Sequence, residues 1–225
     1  MAWILAVSAL AGCGGAKTTG QPDAPAPTLA QRLNAMPPPE RLSYLRGLQA
    51  GRPGDAVVAF HFGNAYYSIG SSYPPEENDA AFAYYDSAVT AYTRAVEIDS
   101  TYSKAYVNMG LAYEAWGKRP EARRTLRTAV EVNPDDVLAH CHLGQLEQSF
   151  GNYAEAVRLY RRALVLDPNS AQAHYNLGLA FAEQKVFQEA LLEWQTVIAL
   201  DPDGELGKTA AENVRILQQY IEASP

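Results

Sequence analysis

The chain has 225 residues, 48% of them apolar and 19% charged, and a formal net charge of -7. That length suits one well-cored domain or an elongated array, and the apolar share favours packed helices over disorder. The acidic balance excludes a nucleic-acid binder, because phosphate contacts need a concentrated Lys/Arg surface.

Residues 2–12, AWILAVSALAG, carry no charge, and Ser8 is their one polar side chain. The run is too short to span a bilayer, which takes about 20 apolar residues, but it suits the apolar core of a signal peptide. No Lys or Arg precedes it, a departure from the usual signal-peptide pattern. The ending Leu10-Ala11-Gly12-Cys13 resembles the lipobox of bacterial lipoproteins. The resemblance implies a signal peptide over 1–12, cleavage before Cys13, and lipidation of that cysteine on its sulfur and new amino group. Gly14 rather than Asp after the cysteine implies sorting to the outer membrane, with the chain on its periplasmic face. The Gly, Pro and Thr of GGAKTTGQPDAPAP make 13–27 a lipidated, flexible tether. Extended, it would reach up to about 40 Å from the membrane.

Residues 28–55 read as N-terminal helices that include a half-repeat. PPERLSYLRGLQAG predicts a lone helix of the second type, and Pro53 falls where such helices end. From Ala56 to Tyr102 the chain reads as a degenerate helical hairpin. It carries a 13-residue insertion made of the loop SSYPPEEN and a long second helix from about Asp79, striped by Phe82, Tyr85, Val89, Tyr92 and Val96.

Three segments of 34 residues then align without gaps: 103–136, 137–170 and 171–204. Position 8 of each is Gly110, Gly144 or Gly178; position 20 is Ala122, Ala156 or Ala190; position 32 is Pro134, Pro168 or Pro202. Positions 4, 8 and 11 share one face of a first helix, and 20, 24 and 27 share one face of a second. Gly and Ala let the two backbones approach, and proline ends the second helix. Position 11 of the middle segment is Glu147, where its neighbours have Tyr113 and Phe181. The pattern resembles the tetratricopeptide repeat (TPR). It implies an all-α, right-handed superhelical α-solenoid, in which each hairpin buries its apolar face on the next. Residues 205–225 read as a polar-faced capping helix.

His140-Cys141-His142 lies inside the second segment. On a helix the two histidines point roughly 200° apart, so they do not chelate one ion, and Cys141 and His142 diverge by about 100° with no orienting acid. His140 and His174 fall at position 4 and read as hairpin-core residues. No residue is assigned a catalytic or metal-binding role, and no cofactor or small-molecule substrate is expected.

Position 6 faces away from the hairpin partner and reads His61, Asn108, His142 and Asn176. In tetratricopeptide proteins that stripe lines the concave groove that holds extended peptides, so the resemblance implies a protein or peptide partner there. Asn64, Leu111, Gln145 and Tyr175 complete the expected lining. Co-chaperone members clamp a C-terminal carboxylate with two asparagines and cationic residues. Asn64 and Asn108 match the asparagines, but Phe60, Leu138 and His142 stand where cations are needed. A neutral peptide or amphipathic helix fits better. Arg123, Arg124, Arg127, Arg158, Arg161 and Arg162 cluster on the second helices, either as a solvated convex face or as a basic patch for anionic lipid or an acidic partner. The expected function is a non-enzymatic, lipid-anchored scaffold or assembly adaptor of the cell envelope. The alternative is a structural subunit of an envelope complex docking through its convex face and the insertion.

Overall fold

The structure, a computed structural model, describes residues 27–74 and 78–223. The cleavage site, Cys13, the tether up to residue 26 and residues 75–77 of the loop lie outside them. The chain forms two units, Met1–Ala35 and Met36–Pro225. In the first, the described part is the short helix α1 (Leu29–Asn34), opened by a capping box in which Thr28 and Gln31 satisfy each other's backbone N–H.

Every regular element described in the second unit is a helix: α2 (Pro38–Gly51), α3 (Ala56–Gly70), α4 (Asn78–Ile98), α5 (Ser103–Ala115), α6 (Arg119–Val132), α7 (Val137–Ser149), α8 (Tyr153–Leu166), α9 (Ala171–Glu183), α10 (Phe187–Leu200) and α11 (Glu205–Ala223). The starts follow local chemistry. Asp55, Asp136 and Ser170 accept hydrogen bonds from the first free N–H groups of α3, α7 and α9. The second helices α6, α8 and α10 stop at Val132, Leu166 and Leu200, each two residues before a repeat proline.

Turns inside the hairpins share one device. Lys118, Asn152 and Val186 donate backbone N–H groups to the carbonyls of Tyr113, Glu147 and Phe181 at 2.8, 2.9 and 2.9 Å, closing the first helix with a Schellman turn. The residue before each donor takes a left-handed backbone: Gly117 (φ 78), Gly151 (φ 78) and Lys185 (φ 62).

Stacking runs in chain order, with α2 on α3, α4 on α5, α6 on α7, α8 on α9 and α10 on α11. The first helices also touch across repeats, α3 with α5, α5 with α7, α7 with α9 and α9 with α11, whereas among the described residues no two second helices make comparable contact. The row with the closer spacing is the inner side of the curve, so first helices line the concave face. Within each hairpin a glycine faces a large side chain: a Cβ on Gly63, Gly110, Gly144 or Gly178 would fall 2.3, 2.6, 2.5 or 2.5 Å from Tyr92, Leu126, Tyr160 or Trp194. Ala122, Leu126, Ala156, Tyr160 and Ala190 between them are fully buried.

The insertion in the first hairpin extends this device. Gly70 follows Gly63 by seven residues, Tyr85 precedes Tyr92 by seven, and Tyr85 packs 2.8 Å from where a Gly70 Cβ would stand. Two antiparallel helices stepped by a heptad bring the same faces together again. Tyr73 stacks on Tyr84, and Tyr67 meets Tyr85, along the added length.

α11 occupies the place of a further first helix, burying Gly207, Ala210 and Leu217. Its outer face is not wholly polar as expected, because Ile216 and Tyr220 are 52% and 54% exposed. Among the described residues, no helix is long and apolar enough to cross a membrane.

Candidate functional site

The concave face is built from the middle turns of α3, α5, α7 and α9. Its best-formed part lies between α3 and α5. Asn64 Oδ1 accepts from the Tyr92 hydroxyl and from Asn108 Nδ2, both at 2.8 Å. These three side chains, with Tyr67 and Leu111, line a cavity of about 230 Å³. Burial drives the Tyr92 phenol pKa far above its ordinary value, so the hydroxyl stays a neutral donor.

One turn before Asn64, His61 is half-buried with its ring 5.4 Å from Phe60. Burial lowers its pKa, against the opposing charge of Asp55. On α7, His142 pairs with Gln145 on its own helix, Nδ1 to Oε1 at 3.1 Å. Gln148 Nε2 donates to Glu183 of α9 at 3.1 Å and so bridges two inner helices.

The expected row breaks at α9. Asn176 is 3% exposed; its Oδ1 accepts from Gln172, and its Nδ2 is buried without a partner. It belongs to the floor between repeats rather than to an accessible row, and among the described residues no bond from Asn176 to Gln145 repeats the one from Asn108 to Asn64. Tyr175 is partly buried against the last hydrophobic cluster and accepts a hydrogen bond from Asn213 of α11. Asn64, Asn108 and Leu111 thus come together, His142 and Gln145 form a second pair, and His61, Tyr175 and Asn176 join neither group.

The other two members of His140-Cys141-His142 part company with His142. His140 Nε2 hydrogen-bonds the Pro134 carbonyl at 2.9 Å, as His174 Nε2 does the Pro168 carbonyl at 3.1 Å, so position 4 fastens the turn between repeats. Cys141 is 3% exposed and packs with Ala163 and Ala173 in the core. Burial pushes its thiol pKa up to about 11, helped by Asp136 and Asp167. No group of His, Cys, Asp or Glu among the described residues is placed to hold a metal ion.

The six convex arginines do not form a free cationic ridge. Arg123 Nε and one guanidinium amine bind the Glu147 carboxylate at 2.8 and 2.7 Å, and Arg127 adds a third bond at 2.8 Å. Arg162 pairs with Asp135 at 2.9 Å, Arg158 with Glu155, and Arg124 with Glu121 at 3.7 Å. Arg161 lies over the Phe181 ring. Glu147, whose side chain is fully buried, is therefore no lost packing contact of the middle repeat but an ionic tie to the hairpin before it. Its only sequence signal was a carboxylate in an aromatic column with two arginines one helix earlier.

Residues 103–136 match the tetratricopeptide repeat family and residues 149–185 match a TPR repeat family, so the chain carries tetratricopeptide repeats. No curated protein matches it. Among solved structures it is similar to MamA 41-end from Desulfovibrio magneticus RS-1, at 20% identity and TM-score 0.63 over 79% of this chain and 93% of that one. A crystal structure of MamA is similar at 19% identity and TM-score 0.61, covering 73% and 89% of the two chains. The first TPR of Spaghetti (RPAP3), bound to HSP90 peptide SRMEEVD, matches at 19% identity and TM-score 0.51 over 56% of this chain and 97% of that one. At these identities the likeness is one of fold: an all-α, right-handed solenoid of tetratricopeptide hairpins.

Proposed function

We propose that this chain is a non-enzymatic scaffold or assembly adaptor that holds a peptide or helix of a protein partner in its concave face. The observation that carries this reading is the lined cavity between α3 and α5, whose Asn64 and Asn108 amides are fixed by Tyr92 rather than spent within one helix. The RPAP3 repeat domain, which holds a peptide on the same fold, supports it. Arginines already matched by carboxylates make the convex face a weaker partner surface.

The lipobox-like Leu10-Ala11-Gly12-Cys13 supports anchoring of Cys13 in the bacterial envelope, on the periplasmic face of the outer membrane. Three acyl chains would hold the chain there permanently, at about 0.8 kcal/mol per buried methylene.

Crosslinking in intact cells followed by affinity capture from membranes tests the reading. The wild-type chain should recover a defined protein partner that a chain with Asn108→Ala and His142→Ala, of unchanged melting temperature, does not. Equal recovery by both chains would sink the groove reading. Release of Cys13→Ser protein into the soluble fraction is the expected result for the anchor, and retention on the membrane would reject it. A second reading, docking as a structural subunit through the lengthened α3–α4 hairpin, draws on its added Tyr67–Tyr85 and Tyr73–Tyr84 contacts. Shortening that hairpin would then disturb assembly and leave groove capture intact.

A further inference from the structure

On the convex side successive second helices diverge, and the slot between them is floored by a first helix. Two of these slots are closed by arginines of the chain from one place in the repeat. Arg127 of α6, at position 25, binds Glu147 of α7, at position 11. Arg161 of α8, also at position 25, lies over the ring of Phe181, also at position 11, with 5.8 Å from guanidinium carbon to ring centroid. The slot between α2 and α4 is left open. Counted back from Pro53, Arg46 is the corresponding residue of α2, and it is exposed and outside the lining. What remains is a cavity of about 470 Å³ between Gln49 of α2, Phe62 and Tyr66 of α3, and the face of α4 from Asp86 to Arg94.

Its chemistry combines the two surfaces that the chain's own arginines use. Tyr66, at position 11 of the first hairpin, stacks on Phe62 with ring centroids 6.2 Å apart and makes an aromatic floor. Asp86 and Arg94 stand eight residues apart on α4, about 12 Å along the helix. Arg94 is matched by Glu97 at 3.2 Å, whereas Asp86 is exposed and has no ion-pair partner among the described residues. The unmatched charge of the slot is therefore negative. It also lies near the floor: Gly63 faces Tyr92 and Gly70 faces Tyr85, which sets Tyr66 level with Val89, three residues and about 4.5 Å along α4 from Asp86.

A carboxylate like that of Glu147 thus stands beside a ring placed like that of Phe181. An arginine suits both, because its planar guanidinium binds a carboxylate and stacks on an aromatic face while its stem lies on apolar surface. A lysine brings a point charge with no plane to stack. A wholly apolar side chain would cover Asp86 without satisfying it.

We infer that the slot between α2 and α4 is a docking site for an arginine side chain of a partner protein, its guanidinium held by Asp86 and Tyr66. Phe62 and Tyr66 point about 200° away from the inner positions His61 and Asn64 on α3, so this site is separate from the concave face and does not depend on what binds there.

Nuclear magnetic resonance on the full chain, labelled with nitrogen-15, tests this through the backbone signals of Ser87, Thr90 and Ala91. Three blocked amino acids are titrated: N-acetylarginine N-methylamide, its citrulline counterpart, which keeps the shape without the charge, and its lysine counterpart. Arginine should shift these signals with an affinity about fivefold or more above citrulline, the scale of one exposed ion pair joined to one cation–π contact. It should also exceed lysine, and the side-chain signals of Asn108 on the concave face should stay in place.

Asp86→Asn, at an exposed helical position, should bring arginine down to the citrulline level at unchanged melting temperature. Thr90→Trp, which fills the slot from an exposed position, should abolish the response to all three probes. Citrulline binding as tightly as arginine, or an arginine response that survives either variant, overturns the inference. Lysine binding as tightly as arginine overturns it too, since the slot would then take any cation. Partner capture through Asn108 and His142 is a separate result, and either can fail while the other stands.

Discussion

Glu147 on α7 and Arg123 on α6 share two hydrogen bonds, at 2.8 and 2.7 Å, across the junction of successive repeats. The carboxylate side chain is fully buried, whereas the guanidinium is 32% exposed. That asymmetry sets which partner can be lost. Removing Glu147 lets Arg123 and the half-exposed Arg127 turn to water, but removing both arginines leaves a buried charge with Asn152 as its remaining partner. Glu147→Leu should cost about 1 kcal/mol or less, since an apolar side chain of similar volume often replaces a buried ion well. Arg123→Ala with Arg127→Ala should cost about 3 kcal/mol or more. Urea denaturation of the two variants measures the order, and a reversed order would refute it.

Acid should weaken the fold in two stages. His61 has its pKa lowered from 6.5 by burial, so below that pH the unfolded chain takes up the proton first and stability falls. Glu147 is opposed by burial, yet its bonds to Arg123, Asn152 and Arg127 win and lower its pKa from 4.5. Its contribution is complete above 4.5 and is lost as the pH falls through the depressed value. His61→Asn should remove the upper stage, and Glu147→Gln should shrink the lower one, which Glu155 shares through its bond to Arg158. Denaturation midpoints measured across both windows check the assignment.

The glycines at the hairpin crossings should differ by what they face. Alanine at Gly63, Gly144 or Gly178 meets an aromatic ring, Tyr92, Tyr160 or Trp194, that moves only as a rigid plate. Overpacking of that kind costs about 1 to 3 kcal/mol. Gly110→Ala meets Leu126, a smaller side chain than the three rings with less volume to displace, and should cost least. Melting temperatures of the four variants give the ranking.

Lys185 holds a φ of 62 where Gly117 and Gly151 hold 78. A left-handed backbone costs a residue with a Cβ about 1 kcal/mol. Lys185→Gly should therefore stabilise the last hairpin by up to about 1 kcal/mol, while Gly151→Ala should destabilise by a similar amount although its Cβ would meet nothing. Thermal unfolding of both variants tests the pair.

Cys141 should be inert while the chain is folded. Its thiol is 3% exposed and has its pKa pushed up to about 11, so little thiolate forms near neutral pH. Modification by a thiol reagent should await denaturant and follow the unfolding curve. Rapid labelling of native protein would contradict the packing of α7 on α8 and α9.

The hairpins were legible because their causes are periodic. Gly, Ala and Pro at positions 8, 20 and 32 act through close approach and helix termination, and the turns fall where those constraints put them. The reach of the first hairpin could be counted as inserted residues, but its packing rests on Gly70 facing Tyr85, a relation between distant positions. Side-chain partners were less readable. Facing direction placed Asn108 and His142 on the inner side, yet it did not show that His142 would engage Gln145 and leave Asn176 in the floor. Nor could a count of charges show Arg123 and Arg127 drawn onto Glu147, because pairing depends on where the next repeat lands.

The doubled glycine–tyrosine crossing of α3 and α4 makes the hairpin's length a quantised quantity. One heptad of helix is about 10 Å long, and a change of any other size in the arms would rotate Gly70 away from Tyr85 and open the seam. Natural or engineered relatives should therefore vary this arm by matched heptads. Between those steps, drift in loop length is free and drift in arm length is not, so the projection works as a ruler with a fixed graduation.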